Sequence, residues 1–267
     1  MSDASFVGDI PANYDRYLGP VIFADFAVEV ARRVAALSPA RVLETAAGTG
    51  IVTRQLRDRL PKTSALIATD LNAPMLEVAR AKFGPEEQVA FQTADATALP
   101  FGERRFDAVV CQFGIMFYPD RTRSHAEVFR TLVPGGRYIF SVWDAHRHNA
   151  FGRITHEVSS RLFAADPPAF YLTPFSCHQI DPIKEALLAA GFDELEIAVV
   201  GLWKAVPDAS AFARGLVFGN PMADQIRARG AEPELMLTEL TRALEQQLSA
   251  DGGRARLQMI VFSAGKP

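Results

Sequence analysis

The chain predicts an α/β fold built on an open, mostly parallel sheet, and three observations carry that prediction. An apolar run, Val42-Leu43, ends in Glu44 and enters a turn of small residues, Thr45-Ala46-Ala47-Gly48-Thr49-Gly50. A second apolar run ends in Asp70, 20 residues past Gly50. Beyond them, apolar runs are separated by segments of helical spacing, the order that yields a sheet covered by helices.

Taken in order, Phe23, Phe26, Ala27, Val30, Ala31 and Val34 recur at helical spacing, so residues 20–37 predict an amphipathic helix that packs on the sheet. The turn after residue 44 must reverse a strand into a helix while leaving room for a ligand. Ala46, Ala47, Gly48 and Gly50 supply that room. A dinucleotide fingerprint, Gly-x-Gly-x-x-Gly, needs its third glycine for close approach to a pyrophosphate. Those three places hold Ala46, Gly48 and Ile51, so the third fails. Asp70, at the tip of a second parallel strand, suits both hydroxyls of a ribose, because ionised acceptors make the strongest such bonds. Asn72 ahead of Ala73-Pro74-Met75-Leu76 is the better helix-cap candidate, which frees Asp70 for a ligand.

The alternation Glu44-x-Ala46-x-Gly48-x-Gly50 resembles motif I of class I S-adenosylmethionine-dependent methyltransferases, an acid followed by three alternating glycines, with Ala46 in place of one glycine. The resemblance continues in order over residues 41–143. Val89 to Ala96 looks like the family's third strand, whose terminal acid, here Asp95, and next residue, Ala96, meet the adenine amino group. Leu99-Pro100-Phe101 follows; Arg105 to Gly114 reads as strand four, and Glu127 to Gly136 as a helix end and tight turn into strand five. Within the family, Gln112-Phe-Gly-Ile-Met-Phe117-Tyr-Pro-Asp120 looks most like the ubiquinone/menaquinone C-methyltransferase-like group, also called methyltransferase type 11.

That resemblance implies a Rossmann-like seven-stranded sheet, mostly parallel, whose last strand runs antiparallel between strands five and six, with helical cap insertions. It implies S-adenosyl-L-methionine as methyl donor, held by Tyr17, Glu44, Ala46, Gly48, Gly50, Asp70, Leu71, Met75, Asp95, Ala96, Gln112 and Phe113, with Glu44 near the methionine end. Ala12-Asn13-Tyr14-Asp15-Arg16-Tyr17 resembles the N-terminal cap, from which Tyr14 or Tyr17 would bond the methionine carboxylate or line the substrate pocket. One domain spans residues 1–267: a core of 38–143, 181–206 and 254–267, and caps of 1–37, 144–180 and 207–253.

Residues 144–180 break the simple alternation with His146, His148, Phe151, Phe163, Pro167-Pro168, Phe170, Tyr171 and Phe175, ahead of a helix over 181–190. In open α/β sheets ligands lie beyond the carboxyl ends of the strands, where this segment begins, so it reads as a substrate lid. Its aromatics favour a planar or lipophilic acceptor. Residues 195–203 read as strand six and 256–263 as the last strand. Between them Pro207-Asp208, Asn220-Pro221 and Glu232-Pro233 signal helix starts, and Leu235, Leu237, Leu240, Leu244 and Leu248 form an apolar stripe, for a segment that roofs the site or makes a dimer contact.

With 267 residues, 49% of them hydrophobic and 22% charged, the chain can bury one large core. Its net charge of −3 offers no overall basic stripe for nucleic acid, and the clusters Arg32-Arg33, Arg54/Arg57/Arg59 and Arg121/Arg123 read as solvated helix faces. DNA amino-methyltransferases carry an Asn/Asp-Pro-Pro-aromatic turn after strand four, where this chain has Gln112-Phe113-Gly114. Cys111 and Cys177 lack metal or disulfide spacing and read as buried thiols; no metal is expected. Without a leader pattern or an apolar run of ~18 residues, the expectation is a cytoplasmic protein with a small-molecule acceptor, no nucleic-acid or membrane partner, and a homodimer as an open alternative. His146 and His148 are the general-base candidates and His125 and His156 weaker ones, so no catalytic residue is assigned. Two rivals stand beside in-line methyl transfer: a catalytically silent donor-binding protein, and an NAD-dependent oxidoreductase, against which Ile51 argues.

Overall fold

The computed structural model describes residues 4–267. Helix α1 (Ile10–Asn13) runs without a break through a π-wound stretch, Tyr14–Phe23, into α2 (Ala24–Ala36). The helix expected over 20–37 thus begins ten residues earlier. Pro20 has no N–H to give an α-helical ladder, and the Ala24 N–H reaches back five residues to the Gly19 carbonyl. On α2 the expected stripe is buried: Phe26, Ala27, Val30, Ala31 and Val34 pack into the core. Each such valine contributes ~1.5–3 kcal/mol of burial.

Then come β1 (Arg41–Glu44), α3 (Ile51–Arg59), β2 (Ala65–Asp70), α4 (Ala73–Arg80), β3 (Val89–Thr93), β4 (Phe106–Gln112), α5 (Arg121–Thr131) and β5 (Leu132–Trp143). The chain continues through α6 (Ala150–Leu162), α7 (Ile180–Ala189), β6 (Asp193–Ala205), α8 (Ala209–Phe218), α9 (Met222–Arg227), α10 (Pro233–Ala250) and β7 (Arg254–Gly265). The strands form one seven-stranded sheet, ordered β3-β2-β1-β4-β5-β7-β6. The pairings along β3 to β5 are parallel, and β7 is antiparallel to both β5 and β6. This is the sheet that the motif order predicts. Residues 108–111 of β4 are buried on both faces, which is why they read as an unbroken apolar run. Strand order reverses between β1 and β4, and Glu44 is in register with Ala68 on one side and Val110 on the other. A crevice therefore opens beyond the carboxyl ends of these strands.

Entry into β5 follows the expected Pro-Gly-Gly turn. Phe106 pairs with Leu132 and Ala108 with Arg137, so residues 133–136 bulge out, with Gly135 at φ +77°. Asp120 and Asp208 cap α5 and α8, accepting from the N–H groups of Arg123 (2.9 Å) and Ala211 (2.8 Å). The α10 stripe differs in one place from expectation. Leu235 is 55% exposed, and Met236, four residues before Leu240, takes its place beside Leu244 and Leu248. Arg57 is likewise not solvated. Its guanidinium is buried and donates to the carbonyls of Ser64 (2.9 Å) and Leu60 (3.2 Å), closing the end of α3. Both cysteines are buried and free. Among the described residues no helix is long and apolar enough to cross a membrane, and no group of His, Cys, Asp and Glu is placed to hold a metal.

Candidate functional site

The turn after β1 is held open by backbone geometry. Ala46, Gly48 and Gly50 have φ of +51°, +57° and +79°, and the Ala47 N–H donates to the Thr69 carbonyl at 2.9 Å. Asp70 closes the arrangement from β2. Its Oδ2 accepts the Gly48 N–H at 2.8 Å and its Oδ1 the Asn72 N–H at 2.8 Å. Burial raises the Asp70 pKa, opposed by those backbone donors. Oδ2 keeps a free lone pair for a further donor, while the second one of Oδ1 meets only the long 3.4 Å contact from Asn72 Nδ2.

A neighbouring turn presses against this one. A Cβ on Gly114, after β4, would lie 2.5 Å from Ala46 Cβ and 2.6 Å from Cys111 Sγ, so only glycine fits. Phe113 before it adopts φ +52°, and its ring stacks on Trp143 at 3.9 Å with 3° between planes. Between the two turns opens a cavity of about 300 Å³. Asp70, Leu71, Asp95, Ala96, Gln112 and Phe113 line one end. Phe117, Trp143, Phe151, Phe170, Tyr171 and Asn220 line the other. A narrow extension reaches Glu44, Ala46 and Gly48, and Tyr14, Phe23, Ala46 and Gln112 border both spaces, forming a neck.

The other two acids differ in surroundings. Glu44 is buried at the end of β1, and its Oε2 accepts from Thr53 Oγ1 at 2.6 Å. Burial pushes its pKa up to about 8, against the opposing pull of the Thr53 bond. Asp95 lies past β3, where its Oδ1 accepts from the Thr97 N–H (2.8 Å) and Oγ1 (2.7 Å). Two buried polar atoms at the neck and its extension have no partner: Gln112 Oε1 and Thr49 Oγ1. Orphaned buried groups of this kind cost about 1–3 kcal/mol each and mark a place where a polar ligand belongs.

Three of the expected site residues sit elsewhere. Tyr17 does not line the cavity; it packs on α8, where a Cβ on Gly215 would come within 2.8 Å of its Cβ. The wide winding of Tyr14–Phe23 brings Tyr14, Leu18, Ile22 and Phe23 to the cavity instead. Gly50 serves helix packing, since a Cβ there would lie 2.9 Å from Ala79 Cβ on α4. Met75 is behind the turn, with Cε 3.4 Å from where a Cβ on Gly48 would be. None of the four candidate histidines reaches the cavity. His146 Nε2 pairs with the Tyr171 carbonyl at 3.0 Å, His148 with Arg147, and His125 is buried against Tyr138 and Phe140, its pKa pushed down to about 4 by burial. His156 stacks against the His146 ring. Phe6 and Trp143 line the cavity and escaped the sequence reading, as did two polar contributors. Tyr118 bonds Thr45 Oγ1 at 3.3 Å, and Asn220 donates to Tyr171 Oη at 3.1 Å while the Tyr171 hydroxyl donates to the Leu216 carbonyl at 2.9 Å. The Phe-Tyr-Pro run signalled the first; nothing local to residue 220 signals the second.

A family model described as "Methyltransferase domain" matches residues 42–136, the span holding the turn, Asp70, Asp95 and Gln112. A demethylmenaquinone methyltransferase from Thermus thermophilus is 32% identical over 166 residues, covering 58% of this chain and 75% of that protein. This chain belongs to the class I S-adenosylmethionine-dependent methyltransferases. A second demethylmenaquinone methyltransferase, from Deinococcus radiodurans, is 36% identical over 118 residues, 44% of this methyltransferase. The match spans about half of that relative's length, 48%. Among solved structures, the YcgJ protein of Bacillus subtilis superposes with a TM-score of 0.60 at 19% identity, covering 91% of this chain and 98% of that one. The phosphoethanolamine N-methyltransferase 2 of Haemonchus contortus, solved with S-adenosyl-L-methionine, gives 0.60 at 17% identity, covering 96% of this chain and 56% of that one. Both likenesses show the fold of this methyltransferase.

Proposed function

We propose that the protein transfers a methyl group from S-adenosylmethionine to a small, uncharged aromatic or lipophilic acceptor, as a member of the ubiquinone/menaquinone C-methyltransferase-like group. One observation carries the reading: Asp70 is tied to the Gly48 turn at the mouth of a cavity whose far half is walled by aromatic rings. The donor fits the residues present. Asp70 offers an acceptor for each ribose hydroxyl, Leu71, 56% exposed, covers a base face, and Asp95 and Ala96 bound the adenine end. The orphaned Gln112 Oε1 and Thr49 Oγ1, with Glu44, suit the ammonium and carboxylate of an amino acid. When bound, the donor supplies a sulfonium methyl already activated for in-line displacement.

What the chain adds is position and dryness. Phe113, stacked on Trp143, and Tyr14, stacked on Phe23 at 4.8 Å, put packed rings on the cavity wall. Holding an acceptor there in line supplies several kcal/mol of barrier lowering. Among the described residues no lysine, arginine or histidine lines the cavity, so an acceptor carrying phosphate or carboxylate would bury an unpaired charge against them. The lining titratable groups beyond the acids are Tyr14, Tyr118 and Tyr171, whose hydroxyls burial holds well above their usual range. None is a base at neutral pH, which favours acceptors that lose their proton readily, such as phenols, hydroquinones and enols. The names of the curated relatives, which include ubiquinone/menaquinone biosynthesis C-methyltransferases, support a quinone-like ring among them.

A donor-consumption assay over a panel of neutral aromatic, amine and phosphorylated acceptors tests the reading. Turnover confined to neutral aromatic acceptors supports it. Preference for a phosphorylated or cationic acceptor overturns the acceptor class, and stabilisation by NAD rather than by S-adenosylhomocysteine in a thermal-shift comparison overturns the donor. Donor binding without turnover on any acceptor points to a silent binding protein.

A further inference from the structure

Asn72 stands where a helix cap is expected, and its side chain does something else. Its backbone is extended at the start of α4, but the side chain makes no capping bond to that helix. Instead Asn72 Oδ1 accepts the Phe6 N–H at 3.1 Å, and Nδ2 donates to the Ala4 carbonyl at 3.0 Å. One amide thereby clamps an irregular strand of chain, residues 4–6, at two points, as a neighbouring β-strand would. The other end of the same residue touches Asp70: the Asn72 N–H donates to Oδ1 at 2.8 Å, and Nδ2 lies 3.4 Å from that oxygen.

The clamped strap closes the cavity. Ala4 and Phe6 line it, and the Phe6 ring meets Tyr14, Phe117 and Phe170 edge-on at 6.1, 5.8 and 6.4 Å. Phe117 and Phe170 belong to the aromatic half of the cavity, where the acceptor is proposed to lie. A continuous path of contacts therefore runs from the carboxylate proposed to hold the ribose, through a single amide, to a ring that walls the acceptor end.

We infer that Asn72 is a positioning residue that couples donor occupancy at Asp70 to closure of the Phe6 strap over the acceptor. This rests on the methyltransferase reading proposed above. A ribose held on Asp70 fixes the Oδ1 to which Asn72 is bound, which orders the clamp and seats Phe6. Without the clamp, the strap loses the two hydrogen bonds that tie it to Asn72 and opens more often. Donor binds first, and the acceptor end is completed afterwards.

Amide hydrogen exchange on the full chain tests this, read by mass spectrometry over residues 4–8 and over α4. Wild type, Asn72→Ala and Asn72→Ser are compared with and without S-adenosylhomocysteine, whose binding to each is measured by calorimetry. Serine can cap α4 but is too short to bridge Ala4 and Phe6, so it separates a capping role from a strap role. In wild type the ligand slows strap exchange about tenfold. In both variants the strap exchanges about three- to tenfold faster than in unliganded wild type, the span of a net hydrogen bond or two, and the ligand no longer slows it, while α4 is unchanged. Wild-type behaviour in the serine variant overturns the inference. So does a wild-type strap indifferent to a ligand that calorimetry shows bound. Failure of the ligand to bind wild type at all overturns the methyltransferase reading itself.

Discussion

Replacing Asp70 with alanine removes, on the proposed reading, both acceptors of the ribose. Hydrogen bonds to an ionised group are worth about 1.5–3 kcal/mol each, and water entering the vacated space offsets part of the pair's loss. A net loss of about 2–4 kcal/mol weakens donor binding about 30- to 700-fold. The Gly48 and Asn72 N–H groups also lose the acceptors they meet at 2.8 Å, so some stability goes with it. At this chain length each kcal/mol lowers Tm by about 2–4 °C, which keeps the variant folded at assay temperature. Asp70→Asn separates the two effects. It keeps the volume and one acceptor oxygen but turns an NH2 toward one of those backbone donors, so its binding loss falls between wild type and alanine. Titration calorimetry with S-adenosylhomocysteine reads all three. A dissociation constant within threefold of wild type for a folded Asp70→Ala protein would refute the assignment of Asp70 to the ribose.

Other expectations follow from the same geometry. Glu44 has a folded-state pKa of about 8, above that of an unfolded glutamate, so the folded protein holds a proton that the unfolded chain has lost. Its contribution to stability is complete at acid pH and declines by about 1.4 kcal/mol per unit as pH rises from about 4.5 to about 8. Glu44→Gln, which keeps the Thr53 bond, should therefore leave Tm unchanged near pH 4.5 and raise it relative to wild type at pH 8.5; equal pH slopes in the two proteins would count against a neutral buried Glu44. A ligand ammonium beside Glu44 would expel that proton, so calorimetry at pH 7 in buffers of different ionisation heat should show proton release that Glu44→Gln lacks. Gly114→Ala forces a methyl into Ala46 and Cys111 and should cost about 1–3 kcal/mol in urea denaturation. Met236→Ala should cost about 2–5 kcal/mol and Leu235→Ala less than about 0.5; a reversed order would mean that the buried face of α10 is misassigned.

The turn after β1 and its link to Asp70 were legible because that geometry is local. A strand that ends in a turn with three positive φ values needs the small residues seen at 46–50, and Asp70 reaches that turn because β1 and β2 pair in parallel register. The choice between Tyr14 and Tyr17 was not legible, since it turns on a change of helical winding around Pro20 rather than on spacing alone. Asn72 holds the right residue for a cap, but its amide found two backbone partners 66 and 68 residues away. The histidines misled for a related reason. His125 is sealed in the core from α5, and the others pack within the segment after β5, so none lines the cavity; helical spacing and loop position in the sequence do not reveal that. The aromatic wall was foreseen in kind from that segment, whereas Asn220 comes from the helical roof and meets Tyr171 across 49 positions of sequence.

The shared family pattern stops at residue 136, and much of the aromatic wall lies beyond it, although Phe6 and Phe117 do not. Trp143, Phe151, Phe170, Tyr171 and Asn220 all come after it. On the proposed reading the molecule resembles a tool with a fixed handle and a largely interchangeable bit: mutations in the later segments remodel much of the wall while leaving Asp70 and its turn in place. Moving the acceptor wall to a relative would therefore take residues 144–253 together with the counterparts of Phe6, Phe117 and Trp143.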